Sequence, residues 1–144
     1  MADSGTHVFR VSLNPKLYRE FEIPSERKLY ALAKAIVAQF GFDFDHPFGF
    51  YSKLTEFVLD SPVKYELFAD TGDDSDAGSV ERTRIDHAFP TVGDTMTFLF
   101  DYGDNWQFRL EVIGRGRKEQ GVKYPRLVKQ VGKAPEQYPA EGGV

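Results

Sequence analysis

The chain contains no cysteine. Disulfides, thiolate metal sites and cysteine nucleophiles are thereby excluded. Histidine is scarce too: His7, His46 and His87 are the three present, and none sits in a His-Glu-x-x-His or other paired-ligand spacing. Ser52, Ser61 and Ser79 lack the Gly-x-Ser-x-Gly elbow of a hydrolase nucleophile. No run approaches the roughly 18 apolar residues of a membrane helix. The opening MADSGTHVFRV has neither the basic start nor the apolar run of a signal peptide. A cytoplasmic protein without membrane association is the expectation. A general basic excess is also missing. The formal net charge is −4, whereas a nucleic-acid binder carries positive charge over its footprint.

What is present is a chain of 144 residues, of which 15% are Phe, Tyr or Trp. That length fits one domain with one core, expected over 1–144 with its ordered core at about 6–131. HVFRVSL at 7–13 and LYREFEI at 17–23 alternate with period two and read as paired strands around Asn14-Pro15. Pro24-Ser25-Glu26 opens a helix over about 26–40, with Ser25 as N-cap and Gly41 as C-terminal cap. Its apolar positions Leu29, Leu32, Ala33, Ile36, Val37 and Phe40 share one face. Strands are expected at 47–52, 64–70 and 124–131, a polar loop at 70–81 and a helical turn at 82–89. The tail from 134 onward reads as loose. Strands dominate beside one long helix. The predicted class is α+β, a mainly antiparallel sheet with that helix packed on it.

The most informative stretch is FLFDYGDNWQFRLEV at 98–112. Met96, Phe98, Phe100 and Tyr102 alternate on one side, and Trp106, Phe108, Leu110 and Val112 do so after the break. Two alternating strands joined by Gly103-Asp104-Asn105 predict a β-hairpin over about 95–112, with those three residues supplying the positive-φ positions. The structural reading makes Asp104 a turn-holder and Trp106 a plug for the core. The functional reading brings Asp101, Asp104, Asn105 and Trp106 together with His46 as a ligand or partner corner.

That hairpin resembles the signature of the plasmid pRiA4b ORF-3-like family, which also carries a transposon-passenger TnpR-like label. The matching residues are Phe100, Asp101, Tyr102, Gly103, Asp104 and Trp106. HVFRVSL, LYREFEIP, the helix at 26–40, His46 and Phe48 in DHPFGF, and Tyr124-Pro125-Arg126 follow in the family's order. The resemblance implies one α+β domain spanning nearly the whole chain. Family members often carry a histidine where this chain has Phe108, and cysteines after Tyr-Pro-Arg where it has none. A metal site built on those groups is not expected here.

Two further segments carry charge. Residues 56–104 hold twelve acidic and three basic side chains, and 113–144 hold three acidic and seven basic. Asp70, Asp74 and Glu81 fall at positions 1, 5 and 12 of a calcium loop, but Gly72 and Ser75 stand at positions 3 and 6. A solvated acidic loop is the better fit. Arg115, Arg117, Lys118, Lys123 and Arg126 form a candidate phosphate strip, with Tyr124 as a stacking partner. The leading expectation is a non-enzymatic interaction module with a protein partner, no cofactor and no assigned catalytic or metal-ligating set. A nucleic-acid-associated accessory protein of a mobile element is the alternative. A metal-dependent enzyme using Asp101, Asp104 and His46 is the second.

Overall fold

A computed structural model describes residues 5–138. The first four residues and the tail beyond Tyr138, on which part of the expected loose end falls, lie outside the described residues.

The first hairpin forms as its alternation requires. Strand β1, Gly5–Asn14, pairs antiparallel with β2, Leu17–Pro24, with Phe9 opposite Phe21 and Val11 opposite Arg19. Phe9, Val11, Phe21 and Ile23 are buried on the core side. The outward side of β2 is covered as well. Glu22 accepts hydrogen bonds from the Thr6 hydroxyl at 2.6 Å and from Arg126 at 2.6 Å. Burial opposes ionisation of Glu22, but those two donors outweigh it and hold its pKa below the usual carboxylate value.

Helix α1 spans Leu29–Gln39 and starts three residues later than its sequence signals suggest. The reason is competition for Ser25. Its hydroxyl pairs with His7 Nδ1 at 2.7 Å and its amide donates to Gly5 O, so it cannot cap. The first helical amides are satisfied from elsewhere: Leu29 N–H donates to Thr83 O and Tyr30 N–H to Val80 O. The far end closes as expected. Gly41 N–H donates to Ala38 O and Phe42 N–H to Val37 O, a Schellman arrangement.

The remaining strands are β3, Phe48–Tyr51; β4, Lys64–Glu66; β5, Gly78–Ser79; β6, Thr95–Phe100; β7, Trp106–Arg117; and β8, Arg126–Val131. A short helix, α2, covers Ile85–Ala88. Among the described residues, all eight strands join one sheet in the order β5-β4-β3-β6-β7-β1-β2-β8. Every pairing is antiparallel except β4 with β5. The strand expected over 64–70 ends at Glu66 and turns into a 3-10 turn at Leu67–Ala69. The loop expected over 70–81 contains the two-residue β5.

Strand β7 runs five residues past the hairpin's expected end, through Gly114 to Arg117, and pairs with β1 along the way. Glycine there looks like a loop signal. Its actual role is close approach: a Cβ on Gly116 would sit 2.8 Å from the Thr6 hydroxyl and 3.0 Å from Glu22 Oε2.

Together these elements make a single α+β domain. The core is rich in phenylalanine. Phe9, Phe21, Phe50, Phe98 and Phe108 are fully buried beside the apolar residues of α1. Each such ring contributes about 1.5–3 kcal/mol on leaving water. Because side chains alternate across a strand, Tyr51 and Leu99 face the other way. With Val58 and Tyr102 they form a second, smaller apolar cluster.

Candidate functional site

The turn after β6 is a five-residue loop, 101–105, closed by the pair Phe100 and Trp106. Its left-handed positions are Asp101 at φ +67° and Asn105 at φ +58°, rather than Gly103. Asp and Asn tolerate that region better than other side-chain-bearing residues. Asp101 organises the loop. Its Oδ1 accepts from Gly103 N–H at 3.1 Å and from Asp104 N–H at 3.2 Å, and its own amide donates to Pro47 O. The turn-holding role expected of Asp104 thus belongs to Asp101. Asp104 is exposed. Asn105 accepts from Gln107. Trp106 packs on Phe42 with ring centroids 4.8 Å apart, and its indole N–H, though buried, has no protein partner.

The second oxygen of Asp101 is free for another task. Oδ2 lies 3.5 Å from His46 Nε2, with the Asp101 side chain 7% exposed and that of His46 34%. His46 precedes β3 and is held on its other nitrogen by Asp45 Oδ1 at 2.7 Å. Tyr138 completes the group. Its hydroxyl is 3.1 Å from His46 Nδ1 and donates to the Asp45 carboxylate at 3.1–3.2 Å. Gln137 anchors that segment by accepting from Asp43 N–H at 2.7 Å and donating to Asp43 O at 3.1 Å. Of the five corner residues expected from sequence, Asp101 and His46 meet. Asp104 acts on His46 only through its charge, and Asn105 and Trp106 stand apart from it. Asp45, Gln137 and Tyr138 carry no local motif that would have assigned them here.

The electrostatics follow from that geometry. The Asp45 hydrogen bond, with the charge of Asp101 behind it, raises the His46 pKa above its ordinary value and favours imidazolium. Desolvation works against the Asp45 carboxylate, but His46 and Tyr138 outweigh it and keep its pKa low. Desolvation and then the Asp45 carboxylate push the Tyr138 phenol up to about 12.

Beside this group opens a cavity of about 470 Å³, within the usual range for ligand sites. Tyr30, Phe44, Phe48 and Phe68 give it aromatic walls. Tyr30 meets Phe44 at 5.5 Å and Phe48 at 5.8 Å, and Phe44 meets Phe48 at 5.3 Å. Asp45, His46 and Asp73 supply its charged groups, and neither lysine nor arginine lines it. The Phe68 wall is backed by Tyr102 at 5.1 Å. Tyr102 in turn is fixed by a 2.7 Å contact to the Tyr51 hydroxyl, which donates to Glu66 at 2.5 Å. Burial pushes the Tyr102 phenol up to about 12, and burial followed by Glu66 raises Tyr51 further.

The basic strip is spread over β7, the following loop and β8, and much of it is paired. Arg126 bridges Glu22 at 2.6 Å and Glu119 at 3.1 Å, and Lys118 meets Glu26 at 2.7 Å. Arg115 donates to Thr6 O. Arg117 also has a partner of its own. Lys123 lines a polar pocket of about 430 Å³ that it shares with Glu26, Arg27 and Glu119. In the acidic loop, Asp70 accepts from Val80 N–H at 2.9 Å, from Glu81 N–H at 3.3 Å and from the Ser79 hydroxyl. It closes the loop on itself. Among the described residues, no group of three His, Asp or Glu side chains is placed to hold a metal ion. His7 is a core residue, with Nε2 donating to Phe89 O at 2.8 Å. No described helix is long and apolar enough to cross a membrane.

Comparison with known proteins gives two findings. The family model for plasmid pRiA4b ORF-3-like protein matches residues 6–140. The crystal structure of a protein of unknown function, MM3350 from Methanosarcina mazei Go1, superposes with a TM-score of 0.74 at 20% identity. That match covers 92% of this chain and 72% of the other, and it shows a shared fold. No curated protein matches the chain.

Proposed function

The chain belongs to the plasmid pRiA4b ORF-3-like family, and from that premise we propose that it is a binding module without catalytic machinery, which recognises a protein partner through the aromatic–acidic cleft beside His46. The observation that carries this reading is the cleft itself. A cavity of about 470 Å³ is walled by aromatic rings and edged by the Asp45–His46–Tyr138 group. Aromatic walls with a few convergent polar groups suit recognition.

The protonation states support binding over chemistry. A phenol pushed up to about 12 stays a hydrogen-bond donor at neutral pH and is a poor nucleophile. A histidine whose charged form is favoured by Asp45 and Asp101 is a poor general base. Asp101 already spends one oxygen on the loop amides. Nucleic-acid binding through the basic strip draws less support, because Arg126 and Lys118 already face carboxylates.

A photo-crosslinking side chain at Thr71, which lines the cleft, tests the proposal in the cells that make the protein. A discrete protein adduct is expected from Thr71 and none from exposed Gln120 as the control. Equal labelling at both positions, or none at either, would overturn it.

A further inference from the structure

We propose that the cleft takes the side chain of an arginine presented by a basic, extended segment of a partner protein. This rests on the reading of the cleft as the recognition site and names what enters it.

Three observations converge on that ligand. The first is charge. Asp45 and Asp73 line the cleft, Asp101 stands behind His46, and no lysine or arginine is among the lining residues. Even with His46 protonated, these groups leave the cleft net negative. An anionic ligand such as phosphate would meet repulsion there, and a cation would be steered in. The second is the wall. Phe44 and Phe68 are partly exposed and present ring surface, Tyr30 adds a third ring open to solvent, and Phe48 is buried behind them. Ring faces attract cations, and the flat guanidinium stacks on them where a compact ammonium cannot. The third is carboxylate geometry. Asp73 is exposed and accepts from the Thr71 hydroxyl at 2.5 Å through Oδ2, so the carboxylate retains acceptor capacity for a two-pronged guanidinium contact. The Leu67–Asp73 side of the cleft belongs to a chain segment, 56–104, that holds twelve acidic side chains against three basic ones, which favours a partner segment with several positive charges.

The test is an NMR titration of the full chain, isotopically labelled, with the capped pentapeptide Gly-Ser-Arg-Gly-Ser and with its citrulline and lysine counterparts. Citrulline keeps the shape of arginine and removes the charge. The expected result is a saturable shift of the His46, Phe44 and Phe68 resonances with the arginine peptide. The citrulline peptide should bind weaker by about tenfold or more, the scale of two partly exposed ion pairs. Asp73→Asn should weaken the arginine peptide while leaving the rest of the spectrum in place. Asp45→Asn/Asp73→Asn should weaken it further. Equal binding of arginine and citrulline peptides at those resonances overturns the cation inference but leaves the cleft as a recognition site. Equal binding of the lysine peptide overturns the assignment to guanidinium. Absence of a saturable shift up to about 10 mM arginine peptide overturns the inference, and the Thr71 crosslink then decides separately whether the broader reading survives.

Discussion

At the scale of single residues, the turn 101–105 separates two aspartates that look alike in sequence. Asp101 is buried and holds two loop amides. Asp104 is exposed. Asp101→Ala leaves those amides without their acceptor and is expected to cost about 1–3 kcal/mol. In a domain of this size that lowers the thermal midpoint by several degrees. Asp104→Ala is expected to stay within about 0.5 kcal/mol of the parent. Thermal unfolding of the two variants side by side checks the pair, and a larger loss for Asp104→Ala would refute the assignment. Phe57 offers a second contrast. It has φ +58° and is 72% exposed, so it bears left-handed strain with little burial in return. That strain is worth about 1 kcal/mol for most side chains and less for asparagine. Phe57→Asn is therefore expected to raise the midpoint by about 1–4 °C. A fall would mean that the ring makes contacts worth more than its exposure implies.

At the scale of elements, the hydrogen-bonded tyrosine pair couples β3 to the loop after β6. A Cβ on Gly49 would lie 2.8 Å from the hydroxyls of both Tyr51 and Tyr102. Gly49→Ala is expected to displace Tyr102, loosen the Phe68 wall and destabilise by about 1–3 kcal/mol, as overpacking does. The check is unfolding together with the near-ultraviolet circular dichroism of the tyrosines, and an unchanged spectrum would sink it. Signals local to one element are legible in the sequence, and contacts between distant elements are not. The hairpins β1–β2 and β6–β7 were legible because period-two alternation is a local signal. The end of α1 was legible because Gly41 follows the last apolar repeat. The start of α1 departs from its local signals because Ser25 is claimed by His7, 18 positions away. Strand β5 has no local signal, because two residues carry no period. Half of the site was visible as His46 and Asp101. The other half was not, since Tyr138 reaches Asp45 across 93 positions of chain and no residue pattern encodes that meeting.

At the scale of the whole molecule, two histidines on different elements pull stability in opposite directions with pH. His46 faces Asp45 on its own segment, Asp101 and Asp104 on the β6–β7 loop, and Tyr138 on the C-terminal segment, and its pKa is raised in the fold. Its stabilising contribution is therefore fully present below the unfolded-state value near 6.5 and is lost as pH rises through the folded value. His7 is buried in β1 with Arg115, Asp86 and Asp94 as its charged neighbours, and burial lowers its pKa. The fold holds it neutral. Its penalty is absent above about pH 6.5 and grows as pH falls toward the folded value, where the buried ring must take up a proton. Because the signs oppose, the parent is expected to show a shallow dependence of midpoint on pH between about 5 and 8. Each single variant should uncover the other histidine. His46→Gln should lose stability relative to the parent chiefly at the acid end, leaving a midpoint that climbs with pH. His7→Gln lowers the midpoint throughout, since Ser25 and Phe89 O lose their partner, but its residual slope should be reversed and fall with pH. Midpoints of the three proteins across that interval decide the matter. Parallel curves would mean that neither histidine changes its proton affinity on folding.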